Sequence, residues 1–197
     1  QALQRQISPM LTRHSNEISM DVNLFKRVKA VYDKREGSGL NAEQKRLLER
    51  VYNGFVRTGA NLTEQERAEL ATINERISAL TTQFGQNSLN DSRAFKLVLD
   101  ESDLDGLPKA QRDAAAATAN AMDMPGKYVI TLNRASVEPF LQFSSRRDLR
   151  EKAFNGWAKR GDNDNEYDNK AILVEMVQLR AKRAQLLGYK HHSELVL

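Results

Sequence analysis

Apolar residues return every three or four positions through most of this chain, and alternate with polar ones in only two short runs. The first half reads as long helices. Asp21 is placed to N-cap a helix whose stripe is Leu24, Val28 and Val31, with Phe25 and Tyr32 alongside. Gly37-Ser38-Gly39 breaks it. Asn41 followed by Gln44 has the form of a capping box, and Leu47, Leu48, Val51, Tyr52 and Phe55 then make a broad apolar face. Gly59 supplies a stop, because glycine tolerates the left-handed conformation past a helix end. Thr63-Glu64-Gln65-Glu66 is a second capping box. It opens a helix carrying Leu70, Ile73, Ile77, Leu80 and Phe84. That seam fades at Asn87 and Asp91, short of the heptads a coiled coil sustains, so an intramolecular helix bundle is expected.

The middle changes period. Phe95-Lys96-Leu97-Val98-Leu99 and Tyr128-Val129-Ile130-Thr131-Leu132 alternate and read as strands. An alanine-rich helix opened by Pro108 lies between them. Two strands alone are marginal, so a small ribbon packed on helices is expected. In the last third, Ser145 and Asp148 suggest a capping box before Leu149, Ala153, Phe154 and Trp157, and Lys159-Arg160-Gly161 ends that helix. A polar loop, Asp162 to Glu166, precedes a helix with Ile172, Met176, Leu179, Leu186 and Leu187 that stops at Gly188. The expected fold class is mainly α: a multi-helix bundle with one small two-stranded β element, spanning residues 1–197 as a single helical region.

Composition narrows the chemistry. The chain has 197 residues, 40% hydrophobic and 28% charged, with no cysteine. Disulfides and thiolate metal sites are therefore excluded. No apolar run approaches the roughly 20 residues of a membrane helix, so no membrane partner is expected. The net charge is +4, from 30 basic and 26 acidic residues interleaved along the chain. The densest basic stretches, Ser145 to Arg150 and Arg180 to Arg183, sit beside apolar residues at helical spacing. They read as solvated helix faces rather than phosphate-binding stripes, and no nucleic-acid partner is expected. The lack of cysteine fits a reducing compartment, so the cytoplasm is expected, and no signal peptide is visible. The chain opens with Gln1 rather than Met, which leaves export to the periplasm open.

The histidines are His14, His191 and His192. A zinc hydrolase helix places two histidines four apart, because that spacing aims both rings at one ion. Val196 stands four after His192. The inverted pattern H-x-x-E-H is nearly met by His191 and Glu194, but Leu195 occupies the last place. Adjacent His191 and His192 point about 100° apart on a helix and do not share a metal. Asp162, Asp164 and Glu166 have the opening rhythm of a calcium loop. Tyr167 replaces its turn glycine and Leu173 its bidentate glutamate, so a polar loop with Asp168 or Asn169 capping the next helix is expected. Trp157 and Tyr189 are read as core residues rather than a ligand groove. No nucleophile elbow, Walker loop or dinucleotide glycine pattern occurs. No catalytic, cofactor-binding or metal-binding residue is therefore assigned, and the chain by itself is expected to be inactive.

Several phrases carry a family resemblance. Asn169-Lys170-Ala171-Ile172-Leu173, Leu179-Arg180 and Arg183-Ala184-Gln185-Leu186-Leu187-Gly188-Tyr189 follow the order N-x-x-I, L-R, R-A-x-L-L-G-Y. That order resembles a segment of the thimet oligopeptidase-like zinc metallopeptidases. Asp103 to Pro108 is similar to that family's L-x-G-L-P stretch. Val137 to Leu141 and Leu149 to Phe154 match in order and spacing. The runs from Ile7 through Glu36 and from Ile77 through Phe95 resemble the bacterial peptidyl-dipeptidases in particular.

The resemblance implies the N-terminal helical region of an enzyme that removes C-terminal dipeptides from short peptides. It implies zinc as the parent's cofactor, bound at an H-E-x-x-H helix and a downstream glutamate several hundred residues further on. None of those positions exists here, so no zinc is expected in this chain. The helical region would form one wall of a substrate-restricting channel, with the catalytic half of the same chain and short peptides as its partners. The terminal run Leu195-Val196-Leu197 is expected to face that half and, without it, to favour self-association. A related endo-acting oligopeptidase and a stand-alone helical interaction module remain the alternatives.

Overall fold

The computed structural model describes residues 2–197. The chain divides into two compact units: one is the chain up to Gln83 together with Ile172–Leu197, the other is Phe84–Ala171. Nine α-helices and one two-stranded antiparallel sheet occur among the described residues, so the fold is mainly α.

The first unit holds α1 (Ala2–Ser19), α2 (Val22–Asp33), α3 (Ala42–Arg57), the first part of α4 (Glu64–Ala94), most of α8 (Lys170–Leu186) and α9 (His192–Val196). Its helix starts form as their sequences dictate. The Asp21 carboxylate accepts from the Leu24 amide at 2.6 Å. In the Asn41–Gln44 box each side chain accepts from the other residue's amide, at 2.9 and 3.1 Å. The Thr63–Glu66 box closes in the same way, at 3.3 and 2.8 Å. Each box satisfies amides that have no partner inside a helix. An aromatic cluster joins α2 to α3: Phe25 is buried against Tyr52 and Phe55, and the Tyr32 ring stacks 3.9 Å from that of Tyr52. The expected broad face of α3 is only half used, since Leu47 and Val51 remain exposed. Leu70, Ile73 and Leu80 of α4 are buried, with Leu80 packed on Ile172 and Met176 of α8. α8 ends in a Schellman cap: Gly188 has φ 85°, its amide donates to Gln185, and the Tyr189 amide donates back to Ala184 at 2.9 Å.

The second unit holds the end of α4, β1 (Leu97–Leu99), α5 (Lys109–Ala121), β2 (Tyr128–Ile130), α6 (Arg134–Phe143), α7 (Arg147–Ala158) and the polar loop. The two strands pair with Leu97 opposite Ile130 and Leu99 opposite Tyr128. Both are shorter than the alternating runs that predict them. Alanines 115 and 119 of α5 are buried, and their small side chains let the helix approach closely. The core is built from Leu99, Leu107, Ile130, Val137, Phe140 and Ala153, with Trp157 packed against it.

Three expectations are corrected here. The Ser145–Asp148 capping box does not form. Gly106 (φ 82°) turns the chain so that the Ser145 amide and hydroxyl donate to Asp105, while Asp148 pairs with Arg146. Phe154 lies on the outer face of α7 and is exposed, whereas Leu149 and Ala153 are buried. Within the terminal run, Leu195 is buried and only Val196 and Leu197 are exposed.

Candidate functional site

The buried side of α4 does not end at Leu80, although Phe84, expected on the same seam, is exposed. Asn87 and Asp91 continue its three-four spacing, and both are buried. A buried carboxylate costs several kcal/mol unless its oxygens are bonded. The loop after α7 supplies those bonds. Asp91 Oδ2 accepts from the Gly161 amide and from Asn163 Nδ2, each at 2.7 Å, and Oδ1 accepts from Asn165 Nδ2 at 2.8 Å. Gly161 follows the end of α7 in the left-handed conformation (φ 77°), which aims its amide inward. Burial pushes the Asp91 carboxyl up, but the bonds from Gly161, Asn165 and Asn163 outweigh it and hold the group below its ordinary value. One turn earlier, Asn87 donates to Asn169 Oδ1 at 3.1 Å, and Asn169 Nδ2 donates to the Phe84 carbonyl and to Ser88.

The acidic rhythm of the same loop is answered by a lysine. Lys170 Nζ donates to Asp162 and Asp164 at 2.8 Å and to Asp168 at 2.7 Å, and these bonds hold its pKa far above the ordinary lysine value. The charge of these three carboxylates is met by one ammonium. Asp168 also accepts from the Lys170 amide at 2.8 Å, which closes the loop onto the start of α8.

Beside this anchor lies a cleft of about 650 Å³. Phe95 forms part of its wall, with Lys96, Lys152, Lys159 and Asn155 around it. No ion pair involves those three lysines among the described residues. Gly156 of α7 gives the Phe95 ring its room: a β-carbon there would stand 2.4 Å from the ring edge. The cleft offers cationic and aromatic contacts but no free acid–base pair, because the Asp91 oxygens are already occupied.

The histidines are not brought together. His14 is exposed, 3.8 Å from Glu17. His191 N-caps α9: its Nδ1 accepts from the Glu194 amide at 3.2 Å, and Glu194 accepts from the Lys190 amide. Burial, then the charges of Arg180 and Arg183, hold His192 below its ordinary pKa. A divalent cation would meet the same two positive charges, so these residues do not fit zinc. No group of three potential ligands occurs among the described residues. Within the basic stretches, Arg146 binds Asp148 and Asp103, and Lys182 binds Glu69 at 2.6 Å. No helix among the described residues is long and apolar enough to cross a membrane.

Residues 140–197 match the family model described as peptidase family M3. The chain is 34% identical over 195 residues to the dipeptidyl carboxypeptidase of Escherichia coli (strain K12), covering 98% of this chain and 28% of that protein. The similarity to a peptidase thus runs along almost the whole chain, and to the family M3 model over its last third. The dipeptidyl carboxypeptidase of Salmonella typhimurium (strain LT2) is 31% identical over 98% of the chain, again 28% of the relative. Oligopeptidase A of E. coli is 29% identical over 95% of the chain and 28% of its own length. The chain thus spans little more than a quarter of the M3 relatives it matches. The segment that fits the M3 model holds the loop around Asp91, all of α7 and α8, and the Gly188 cap. The Asp91 anchor escapes a pattern reading because polar residues on a seam are taken for its end. The signal that could have found it is the unbroken three-four spacing through Asn87 and Asp91, followed by a loop rich in asparagine.

Proposed function

We propose that this chain is the N-terminal helical region of a zinc metallopeptidase of family M3 that removes C-terminal dipeptides from short peptides. The observation that carries this reading is the 34% identity to a dipeptidyl carboxypeptidase along almost the whole chain. In this reading the region forms one wall of the channel that admits short peptides, and zinc and the catalytic groups reside in the catalytic half of the same chain.

The two sides of α8 support it. Ile172, Met176 and Ala184 are buried, yet Leu173, Val174 and Val177 on the same helix are 52–57% exposed. Leu173, Val174 and Val177 lie within about one turn of each other, and an exposed apolar patch of that kind marks a surface built to be covered. The catalytic half is the cover we propose for that second face. Identity to oligopeptidase A over 95% of the chain favours, as a second reading, an enzyme that cuts internally.

The test uses the longer protein and two forms of one peptide, with a free and an amidated C-terminus. Release of dipeptides from the free form alone, abolished by a chelator and restored by zinc, is the expected result. Internal cleavage of the amidated form would establish the second reading. The chain by itself should cleave neither peptide, and it should bind the separately expressed catalytic half in sedimentation. Hydrolysis by the chain alone, surviving removal of contaminating proteases, would overturn the assignment. The proposed site of action is the cytoplasm, with the periplasm as the alternative that fractionation would reveal.

A further inference from the structure

Two clefts of the second unit share Phe95 as a wall. One, of about 650 Å³, is the cleft beside the Asp91 anchor. The other, of about 420 Å³, reaches Leu89, Met122 and Leu132. Lys152, Asn155, Gly156 and Lys159 stand at i, i+3, i+4 and i+7 along α7 and its end, so they share the face that lines the first cleft. Gly156, with no side chain, lets the Phe95 ring lie on that face. Arg93 and Arg160 line the second cleft.

The charge of this surface is one-sided. Five cations, Arg93, Lys96, Lys152, Lys159 and Arg160, line the two clefts against one carboxylate, Asp91. That surplus equals the +4 of the whole chain, whose other charges therefore balance. None of the five cations has an ion-pair partner among the described residues. Acids close by in sequence are committed elsewhere: Asp91 to Gly161, Asn163 and Asn165, Asp148 to Arg146, and Asp162 and Asp164 to Lys170. Apolar surface lies among the cations, since Leu89 is 42% and Met122 39% exposed and Phe95 is half-buried. A ligand that fits must combine negative charge with an apolar body. Single-stranded nucleic acid stacks successive bases on several aromatic side chains, and Phe95 is the one aromatic lining either cleft among the described residues. A peptide meets the surface better, with carboxylates for the cations and an apolar side chain for the ring.

We propose that the clefts around Phe95 bind a short acidic peptide segment, its carboxylates met by Lys152, Lys159 and Arg93 and an apolar side chain resting on Phe95. This site does not depend on the peptidase reading, because its binding is measured on this chain without cleavage.

The experiment follows the fluorescence anisotropy of a dye-labelled, end-blocked peptide, one phenylalanine flanked by glutamates, as the chain is added at low salt. Three more probes are the same peptide with glutamines for its glutamates, the same peptide with alanine for its phenylalanine, and an oligothymidylate of equal charge. Saturable binding of the acidic peptide is expected, weakened about fivefold or more by either change to it. Lys152→Gln with Lys159→Gln should weaken it to a similar degree. Lys26→Gln with Lys34→Gln, the same change of charge in the first unit, should not. All four lysines are exposed, and circular dichroism checks that both double variants fold. No saturable binding, an altered peptide bound as tightly, equal loss in the two double variants, or tighter binding of the oligothymidylate would overturn the proposal.

Discussion

Replacing Asp91 should unfasten the second unit. The side chain is 5% exposed and accepts three hydrogen bonds at 2.7–2.8 Å. A hydrogen bond to a charged group contributes about 1.5–3 kcal/mol net, and a buried donor left unmade costs about 1–3 kcal/mol. Asn163 and Asn165 are exposed, so their amides return to water when the carboxylate goes. Gly161 is buried, and its amide does not. The loss in Asp91→Ala is thus set mainly by one buried donor and comes to about 2–4 kcal/mol. Trp157 is the single tryptophan and packs on the core of the same unit, so its fluorescence reports this unit. With a urea slope of about 1–2 kcal/mol/M, the midpoint should fall by about 1–4 M.

Asp91→Asn should fall between, since it keeps one acceptor oxygen but turns an amide donor toward donors. The gap between the native chain and Asp91→Asn should also depend on pH. The folded carboxyl is held below its unfolded value of about 3.9. Its contribution is therefore full above that value and lost as pH falls through the lower folded one. An Asp91→Asn midpoint equal to the native one at pH 7, or a gap that widens as acid is added, would refute the anchor.

Other substitutions test other parts of the fold. Gly106→Ala should destabilise the second unit by about 2–4 kcal/mol in the same fluorescence assay, because it adds left-handed strain to a crowded turn. Its β-carbon would stand 2.2 Å from the Phe143 carbonyl oxygen. Gly188→Val should cost about 1–2 kcal/mol by circular dichroism melting, from backbone strain alone, since nothing lies within 4 Å of the added carbon. Gly37→Ala, outside the positive-φ region, should cost almost nothing by comparison. Val174→Glu with Val177→Glu should leave the melt of the chain nearly unchanged and reduce its self-association in sedimentation. A large loss of stability would show that this face of α8 is already covered.

Local chemistry is legible in the order of residues. The Asn41 and Thr63 boxes, the Asp21 cap, and the stops at Gly59 and Gly188 are short-range events whose partners lie within a few residues, so the sequence alone determines them. The alternating runs likewise specify the strand pair. Elements that break local rules are not legible in this way. α1 and α6 each carry an internal proline, Pro9 and Pro139, where pattern reading expects a break. Tertiary burial of Val137 and Phe140 holds α6 together regardless. Ser145 could have capped α7, but a long-range partner, Asp105, takes its hydroxyl.

The seam of α4 marks the boundary most clearly. Sequence periodicity places Asn87 and Asp91 on the buried side, but burial of polar groups is stable only with partners. Those partners lie between 70 and 82 positions away along the chain. No local pattern encodes a contact at that separation. Only the folded chain, which brings the loop after α7 against the end of α4, decides that a carboxylate belongs there.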